Sequence, residues 1–572
     1  MHLQNHFQIL PAGAITLKGE LGKAADLCRE NFLKRVKWSN LVQPFRDRPE
    51  TSTWRSEFWG KMIRGAILMA YVTQDQELKD QIRESVYDIL STQDEQGCIS
   101  TVATDKQPGT WDMWGRKYVL MGLTRYCQYL DRDPKVIQAC ARLVDYIMTQ
   151  IGSGAPLTPL QAGYHEGLAT CSMLGAIVRV YRLTQDPRHL EFAKYIARTG
   201  CSLSGDIFQG VLEGKTPAEL GNGKAYEMTS CFQGLAELCL ETDDFPQARE
   251  ILTRYYNGVR DREILCTGVG GGKDTWGEYW YDMALRQNIK DPKATGAMGE
   301  TCITVTWLHY LERMLQLTGD PKVFDQCEVA LYNALLGGMT LDGTNFTHRN
   351  PTPLAGGAYK IAAPDQMLLG FNRPFHGMDC CRAQGPEGLA LAPLLGVMAK
   401  DGAPVFHLYE DMEVRLEGVT YTVTGGWPFA GDQVRIDLAM EAPRTMALRF
   451  RVPQRDSGAD FLQVNGETIP VRPGEYAVVE REWKNGDRVE LHFDQTLRKR
   501  FLPTIPNTFC YMKGPVVLAE DGRLNAYHGD TGSYRIAIPM EEDNKNKDRY
   551  LCDYASAGAE FLEVHRLQVV FP

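Results

Sequence analysis

Two short segments of this 572-residue chain carry its densest reactive chemistry. Gly299-Glu300-Thr301-Cys302 stands at the head of an expected helix running to about Leu317. Asp379-Cys380-Cys381-Arg382 stands in an expected loop before the last apolar helix of the first half. Together Glu300, Cys302, Cys380 and Cys381 offer three sulfurs and a carboxylate, enough to fill a tetrahedral zinc site. Adjacent cysteines rarely join in a disulfide with each other because the geometry is strained, and both reach one ion only through a tight turn. No C-x-x-C spacing backs the metal, and among 15 cysteines one adjacent pair is unsurprising by chance, so inert structural thiols are the competing reading.

A third candidate is the loop Thr267-Gly268-Val269-Gly270-Gly271-Gly272-Lys273-Asp274-Thr275-Trp276-Gly277-Glu278-Tyr279-Trp280. Its glycines lack the G-x-x-x-x-G-K-[ST] spacing of a phosphate loop. Glycines followed by aromatic residues around one carboxylate suit a sugar-binding surface, with Trp276 available to stack. Glu278 is then a candidate acid whose pKa an apolar surround would raise; a solvated glutamate beside packed tryptophans reads the same residues without chemistry. His165-Glu166 opens another helix and by itself reads as a cap or packing feature.

These residues need a scaffold to bring them together. From about residue 20 to 395 apolar residues recur at helical spacing, broken by polar turns that hold Asp75, Asp133, Asp186, Asp244 and Asp320. Proline follows three of those aspartates directly, a helix-start signal. The steps of 58, 53, 58 and 76 residues fit one helical hairpin plus its return loop. About six such hairpins close into an α/α toroid with functional loops at one end; an open helical solenoid is the alternative. From about 404 the pattern alternates at period two, with Asn465-Gly466 and Asn485-Gly486 as hairpin turns, which reads as β-sandwich. The expected division is 1–20 as a strand segment joining the β part, 21–400 as the toroid, 401–500 as a β-sandwich and 501–572 as a second β region packing on the toroid.

Composition narrows the setting. Lys+Arg 62 against Asp+Glu 72 gives a net charge of −10 with no long single-sign block, which argues against a nucleic-acid surface. No run of 18 or more apolar residues suits a membrane span. The start, MHLQNHFQIL, has no signal-peptide pattern, and the odd cysteine count favours reduced thiols, so a cytoplasmic location is expected. Oligomerisation is left open.

Taken in order, these features resemble glycoside hydrolase family 127, the bacterial β-L-arabinofuranosidase group. The resemblance rests on Leu10-Pro11-Ala12-Gly13, Gln93 to Thr101, Gly277-Glu278, Glu300-Thr301-Cys302, Cys380-Cys381, Leu341-Asp342-Gly343 and Asn350-Pro351. In the β half it adds Phe450-Arg451-Val452-Pro453, Val464-Asn465-Gly466-Glu467, Trp483 to Asp487 and Gly514 to Leu518. It implies an (α/α)6 catalytic toroid followed by β-sandwich domains. It also implies Zn2+ held by Glu300, Cys302, Cys380 and Cys381, with Cys380 the nucleophile of a retaining, exo-acting glycosidase and Glu278 its acid/base. A glycoside or oligosaccharide would be the substrate, with His165, Trp276 and His348 among its contacts.

The chain departs from the family where sugar contacts are expected. Ser172 and Lys224 stand where family members hold histidines, His348 replaces a tyrosine, and Arg382 to Glu387 replaces the usual continuation after the cysteine pair. These changes point to a glycone other than β-L-arabinofuranose, with Lys224 or Arg382 available to an acidic one. Two other classes compete: a non-catalytic carbohydrate-binding toroid with structural zinc, and an α/α-toroid lyase or epimerase using His165, His348 or Tyr226 as a base.

Overall fold

The computed structural model describes residues 3–50, 54–271, 278–282, 298–351, 361–362, 378–454, 460–502, 507–522, 524, 534–540, 549–557 and 567–571. Of Met298, His348, Arg349, Pro351, Ile361 and Ala362 it describes the backbone alone. Trp276 and the glycine-rich stretch 272–277 lie outside the described residues.

Fifteen α-helices lie among the described residues. They are α1 (Glu20–Asn31), α2 (Trp38–Asp47), α3 (Glu57–Thr73), α4 (Gln76–Leu90), α5 (Asp112–Tyr129), α6 (Pro134–Gln150), α7 (Leu168–Cys171), α8 (Leu174–Thr184), α9 (Pro187–Arg198), α10 (Ile207–Leu212), α11 (Ala225–Leu238), α12 (Ala248–Arg262), α13 (Thr301–Thr318), α14 (Pro321–Val329) and α15 (Cys380–Gly396). Six of them form a closed inner ring in which α3 packs on α5, α5 on α8, α8 on α11, α11 on α13, α13 on α15 and α15 back on α3. An outer helix backs each one: α4, α6, α9, α12, α14 and, for α15, the chain's first helix α1. This is an (α/α)6 toroid. None of the described helices is long and apolar enough to cross a membrane.

The two layers differ in sequence because they differ in surroundings. Outer helices start on the aspartates of the repeat: Asp75, Asp133, Asp186 and Asp320 each accept a bond from a backbone N–H two or three residues on, at 2.8–3.0 Å. Asp244 differs. Phe245-Pro246 intervenes and α12 begins only at Ala248, so the Asp244 carboxylate pairs instead with Arg198 at 2.7 Å and Lys194 at 3.3 Å. Inner helices have neighbours on every side and are buried all round, from Glu57 to Ala70 in α3 and Asp112 to Cys127 in α5. The packing is close enough that a Cβ on Gly60 would lie 2.3 Å from the Tyr118 carbonyl oxygen.

The β half follows. A five-stranded sheet runs Gln8–Ile9, Val397–Lys400, Ala403–Phe406, Arg444–Arg451 and Tyr476–Trp483. A seven-stranded sheet runs Glu467–Ile469, Phe461–Val464, Arg488–His492, Gln433–Met440, Val419–Thr424, Met412–Leu416 and Ile15–Leu17. Inward residues alternate with outward ones along Gln433–Met440, as a half-buried strand requires. The N-terminal strands thus close one edge of each sheet. A third sheet joins Arg498–Phe501, Phe509–Lys513, Val516–Asp521, Tyr550–Asp553 and Ala537–Pro539, and Asn333 ties it to the helical domain through bonds to Pro515 and Val517.

Candidate active site

The reactive side chains gather at the N-terminal ends of the inner helices. Glu300 is the N-cap residue of α13 and Cys302 lies in its first turn; Cys380 and Cys381 open α15, whose N-cap Asp379 accepts from the Arg382 N–H at 2.8 Å. The three sulfurs lie within 4.8 Å of one another, and Glu278, Glu300 and Cys380 form a second group within the same limit. Cys380 is common to both. Its sulfur stands 4.0 Å from that of Cys381, about twice a disulfide bond, so the pair is unbridged. Cys302 and Cys381 are fully buried while Cys380 is partly exposed. Burial first, and the crowding of the other thiols next, drive Cys302 and Cys381 well above the usual thiol range. A divalent cation inverts that order by deprotonating the thiols that bind it. These cysteine and glutamate side chains can hold a metal ion.

A buried pair from α3 lies against the thiols. Lys61 Nζ is 3.9 Å from the Cys302 sulfur and 2.9 Å from Glu57 Oε1. Burial opposes the Lys61 charge, but Cys302 and Glu57 outweigh it and hold the ammonium well above the usual lysine range. Burial pushes Glu57 up to about 7 against the pull of Lys61. Trp114 donates its indole N–H to Glu57 Oε2.

Glu278 reaches the site on a short stretch that pairs with the start of α11. The Ala225 N–H donates to the Glu278 carbonyl at 2.7 Å, and the Trp280 N–H donates to the Gly223 carbonyl at 2.8 Å. The Trp280 indole is anchored on the Tyr255 hydroxyl at 2.9 Å. This register sets Lys224 Nζ 2.8 Å from Glu278 Oε2. Among the described residues, Glu278 therefore faces an ion pair with Lys224. Burial works against the Lys224 charge, but Glu278, Glu227 and Glu300 outweigh it and keep the ammonium in place.

His165 belongs to the same group of side chains. It and Glu166 both adopt left-handed backbone, with φ of 56° and 57°, an uncommon conformation for these residues. Its ring packs on Trp111 at 5.3 Å and Tyr279 at 6.4 Å, and Nε2 lies 3.9 Å from Glu227 Oε1. Burial lowers its pKa, so the ring is a neutral imidazole near pH 7. Other expected contacts do not converge here. The Ser172 hydroxyl is spent on the Ala169 carbonyl at 2.7 Å. Arg382 stacks over Phe32 and donates to the Thr344 carbonyl, and Lys224 is held by Glu278, so neither is a spare cation for an acidic sugar. His348 lies on the strand Thr347–Pro351, whose Thr347 carbonyl accepts from the Thr301 hydroxyl at 2.7 Å beside Cys302.

Sequence reasoning missed Glu57, Lys61, Lys117 and Glu227. Lys117 Nζ sits 4.0 Å over the Trp114 ring and burial lowers its pKa to about 7, with Glu227 opposing the shift. The only signal was a charge inside an apolar helical run, as in Phe58-Trp59-Gly60-Lys61-Met62-Ile63.

The sequence pattern of the Beta-L-arabinofuranosidase, GH127 catalytic domain matches residues 20–393, and that of the GH127 middle domain matches residues 405–495. The chain belongs to glycoside hydrolase family 127. Its fold agrees with two solved members. A GH127 β-arabinofuranosidase superposes with a TM-score of 0.78 at 18% identity, covering 99% of this chain and 98% of that one. A GH127 β-L-arabinofuranosidase from Geobacillus stearothermophilus T6 gives 0.71 at 17% identity, covering 97% and 99%. By sequence, a non-reducing end β-L-arabinofuranosidase of Bifidobacterium longum subsp. longum is 24% identical over 297 residues, which is 50% of this GH127 chain and 43% of that protein.

Proposed function

We propose that the chain is a retaining, exo-acting glycoside hydrolase related to β-L-arabinofuranosidases, with Cys380 as nucleophile and Glu278 as acid/base. The observation that carries this reading is the approach of a Glu278 carboxylate oxygen to within 4.8 Å of the Cys380 sulfur. Retaining glycosidases hold their two groups about 5–5.5 Å apart, whereas inverting ones leave about 6.5–9.5 Å for a water. Two buried thiols, the partly exposed Cys380 and a buried carboxylate suit zinc better than magnesium or calcium, which prefer oxygen. Glu300, Cys302, Cys380 and Cys381 would hold it, and zinc bound there would keep the Cys380 sulfur a thiolate near neutral pH.

Cys380 attacks the anomeric carbon while Glu278 gives its proton to the departing oxygen, leaving the sugar on sulfur. Glu278 then takes a proton from water, the water oxygen attacks the same carbon, and the sulfur leaves. Two inversions give net retention. Lys224 orients the Glu278 carboxylate, and the partial exposure of Cys380 admits the sugar where Cys302 and Cys381 are closed off. Lys224, paired with Glu278 where a histidine was expected of the family, supports a glycone other than β-L-arabinofuranose. Burial holds the Tyr226 phenol protonated, which removes one of the three bases named for a lyase or epimerase.

Glu278→Gln tests the assignment. It keeps size and removes proton transfer, typically worth about 10²–10⁴ in rate. With an activated aryl glycoside the variant should accumulate one glycosyl unit on the peptide containing Cys380, read by mass spectrometry. Wild-type turnover by the variant, or a label on another residue, would remove the assignment.

A further inference from the structure

Lys117 on α5 and Glu227 on α11 are each about 1% exposed, yet Lys117 Nζ and Glu227 Oε2 have no hydrogen-bond partner and no ion pair joins the two residues. Isolated buried charges of this kind cost several kcal/mol unless something pairs with them. Glu227 is nevertheless the carboxylate that acts most strongly on Lys117, and its other oxygen faces His165. Trp114 and Tyr226, whose rings are 5.4 Å apart, frame the Lys117 ammonium at 4.0 and 5.5 Å. Exposure rises in the side chains around the group: Lys224 and Glu278 are 11% and 17% exposed, and Tyr164, which packs on Trp111, is 39% exposed.

Resting on the reading of this site as a glycone-binding one, we infer that Lys117 and Glu227 form the recognition pair for a neutral glycone. A sugar hydroxyl accepts from the Lys117 ammonium, and the same or the neighbouring hydroxyl donates to Glu227 Oε2. A hydroxyl suits the pair because it both gives and takes a hydrogen bond, whereas Lys117 can only donate and an ionised Glu227 can only accept. A carboxylate on the glycone suits it poorly. Lys61 is held by Glu57 and Lys224 by Glu278, so an acidic sugar would set its charge on Lys117 alone and against both Glu227 and Glu278.

Calorimetric binding of free sugars to the zinc-loaded chain tests this without turnover. The probes are L-arabinose, D-xylose, D-galactose and D-glucose, with D-galacturonate and D-glucuronate as the charged counterparts of the last two. At least one neutral sugar should bind, and D-galactose or D-glucose should bind at least as well as its uronate. Lys117→Met and Glu227→Gln should each weaken the best neutral ligand about 10- to 100-fold, the worth of a hydrogen bond to a charged group, with zinc content and thermal transition retained. Tighter binding of a uronate, no binding of any neutral sugar, or wild-type affinity in both variants would overturn the pair. Loss of sugar binding in both variants of a chain that hydrolyses no glycoside would leave the pair standing and remove the enzymatic reading instead.

Discussion

Buried charge gathers towards both ends of the inner helices, and the two ends treat it differently. Below the site, Glu387 on α15 meets Arg64 of α3 at 2.8 Å, His309 of α13 at 2.9 Å and Arg125 of α5 at 3.6 Å. Burial alone would raise its pKa, but Arg64, His309 and Arg125 hold the carboxyl well below the usual range. Glu237 on α11 is gripped in the same manner by Arg313 at 2.7 Å, Arg179 at 3.4 Å and Arg182. At the other end of these helices burial wins at two groups, Glu57 rising and Lys117 falling, both to about 7, while Lys61 and Lys224 stay paired with Glu57 and Glu278. The lower clusters spend their charge on one another and lock the ring. The upper end also keeps Lys117 and Glu227 without full partners, as a surface built for something else to complete.

Breaking the lower cluster should give the largest effect. Glu387→Gln leaves Arg64, Arg125 and His309 facing a neutral amide in the core and should lose about 3–5 kcal/mol of stability by chemical denaturation. Because Cys380 and Glu387 lie two turns apart on α15, the variant should also bind less metal. Stability equal to wild type would end the distinction drawn between the two ends.

Cys302→Ser acts at the upper end alone. It should strip most of the zinc, from about one ion per chain to a small fraction by elemental analysis, while the ring stays folded because its lower clusters are intact. Wild-type protein without zinc after zinc supplementation would remove the ligand set itself.

Lys117→Met should be milder still, within about 1 kcal/mol of wild-type stability at pH 7, because losing the ammonium also removes the cost of burying it. Its sharper mark is on pH dependence. Lys117 titrates near 7 when folded and near 10.4 when unfolded, so between these values the unfolded chain binds the extra proton. Its contribution to stability therefore rises with pH from about 7 to 10. Denaturation midpoints at pH 7, 8 and 9 should show that rise in wild type and a smaller one in Lys117→Met; identical slopes would mean the ammonium is paired after all.

The repeat, the β half and the reactive sulfurs could be read from the chain because their signals are local. An aspartate caps a helix two or three residues away, a hairpin turn joins neighbouring strands, and Glu300-Thr301-Cys302 places donors on one helix start; Cys380-Cys381, expected in a loop, instead opens α15 because Asp379 caps it. Even so, Asp244 shows the limit, since one Phe-Pro step moved the helix start beyond its reach. Closure of the ring was a matter of tertiary structure. It brought α13 and α15 together so that three sulfurs from distant segments share one place, and it set Lys61 against Cys302 across 241 residues. The Lys224–Glu278 pair depends on a bridge between Lys224 and Tyr279 that no spacing foretells. Lys117 and Glu227 were hidden for a related reason. A helix buried on every side has no polar stripe to mark its direction, so which of its charges point into the core, and which find a partner there, is decided only when all six inner helices are in place.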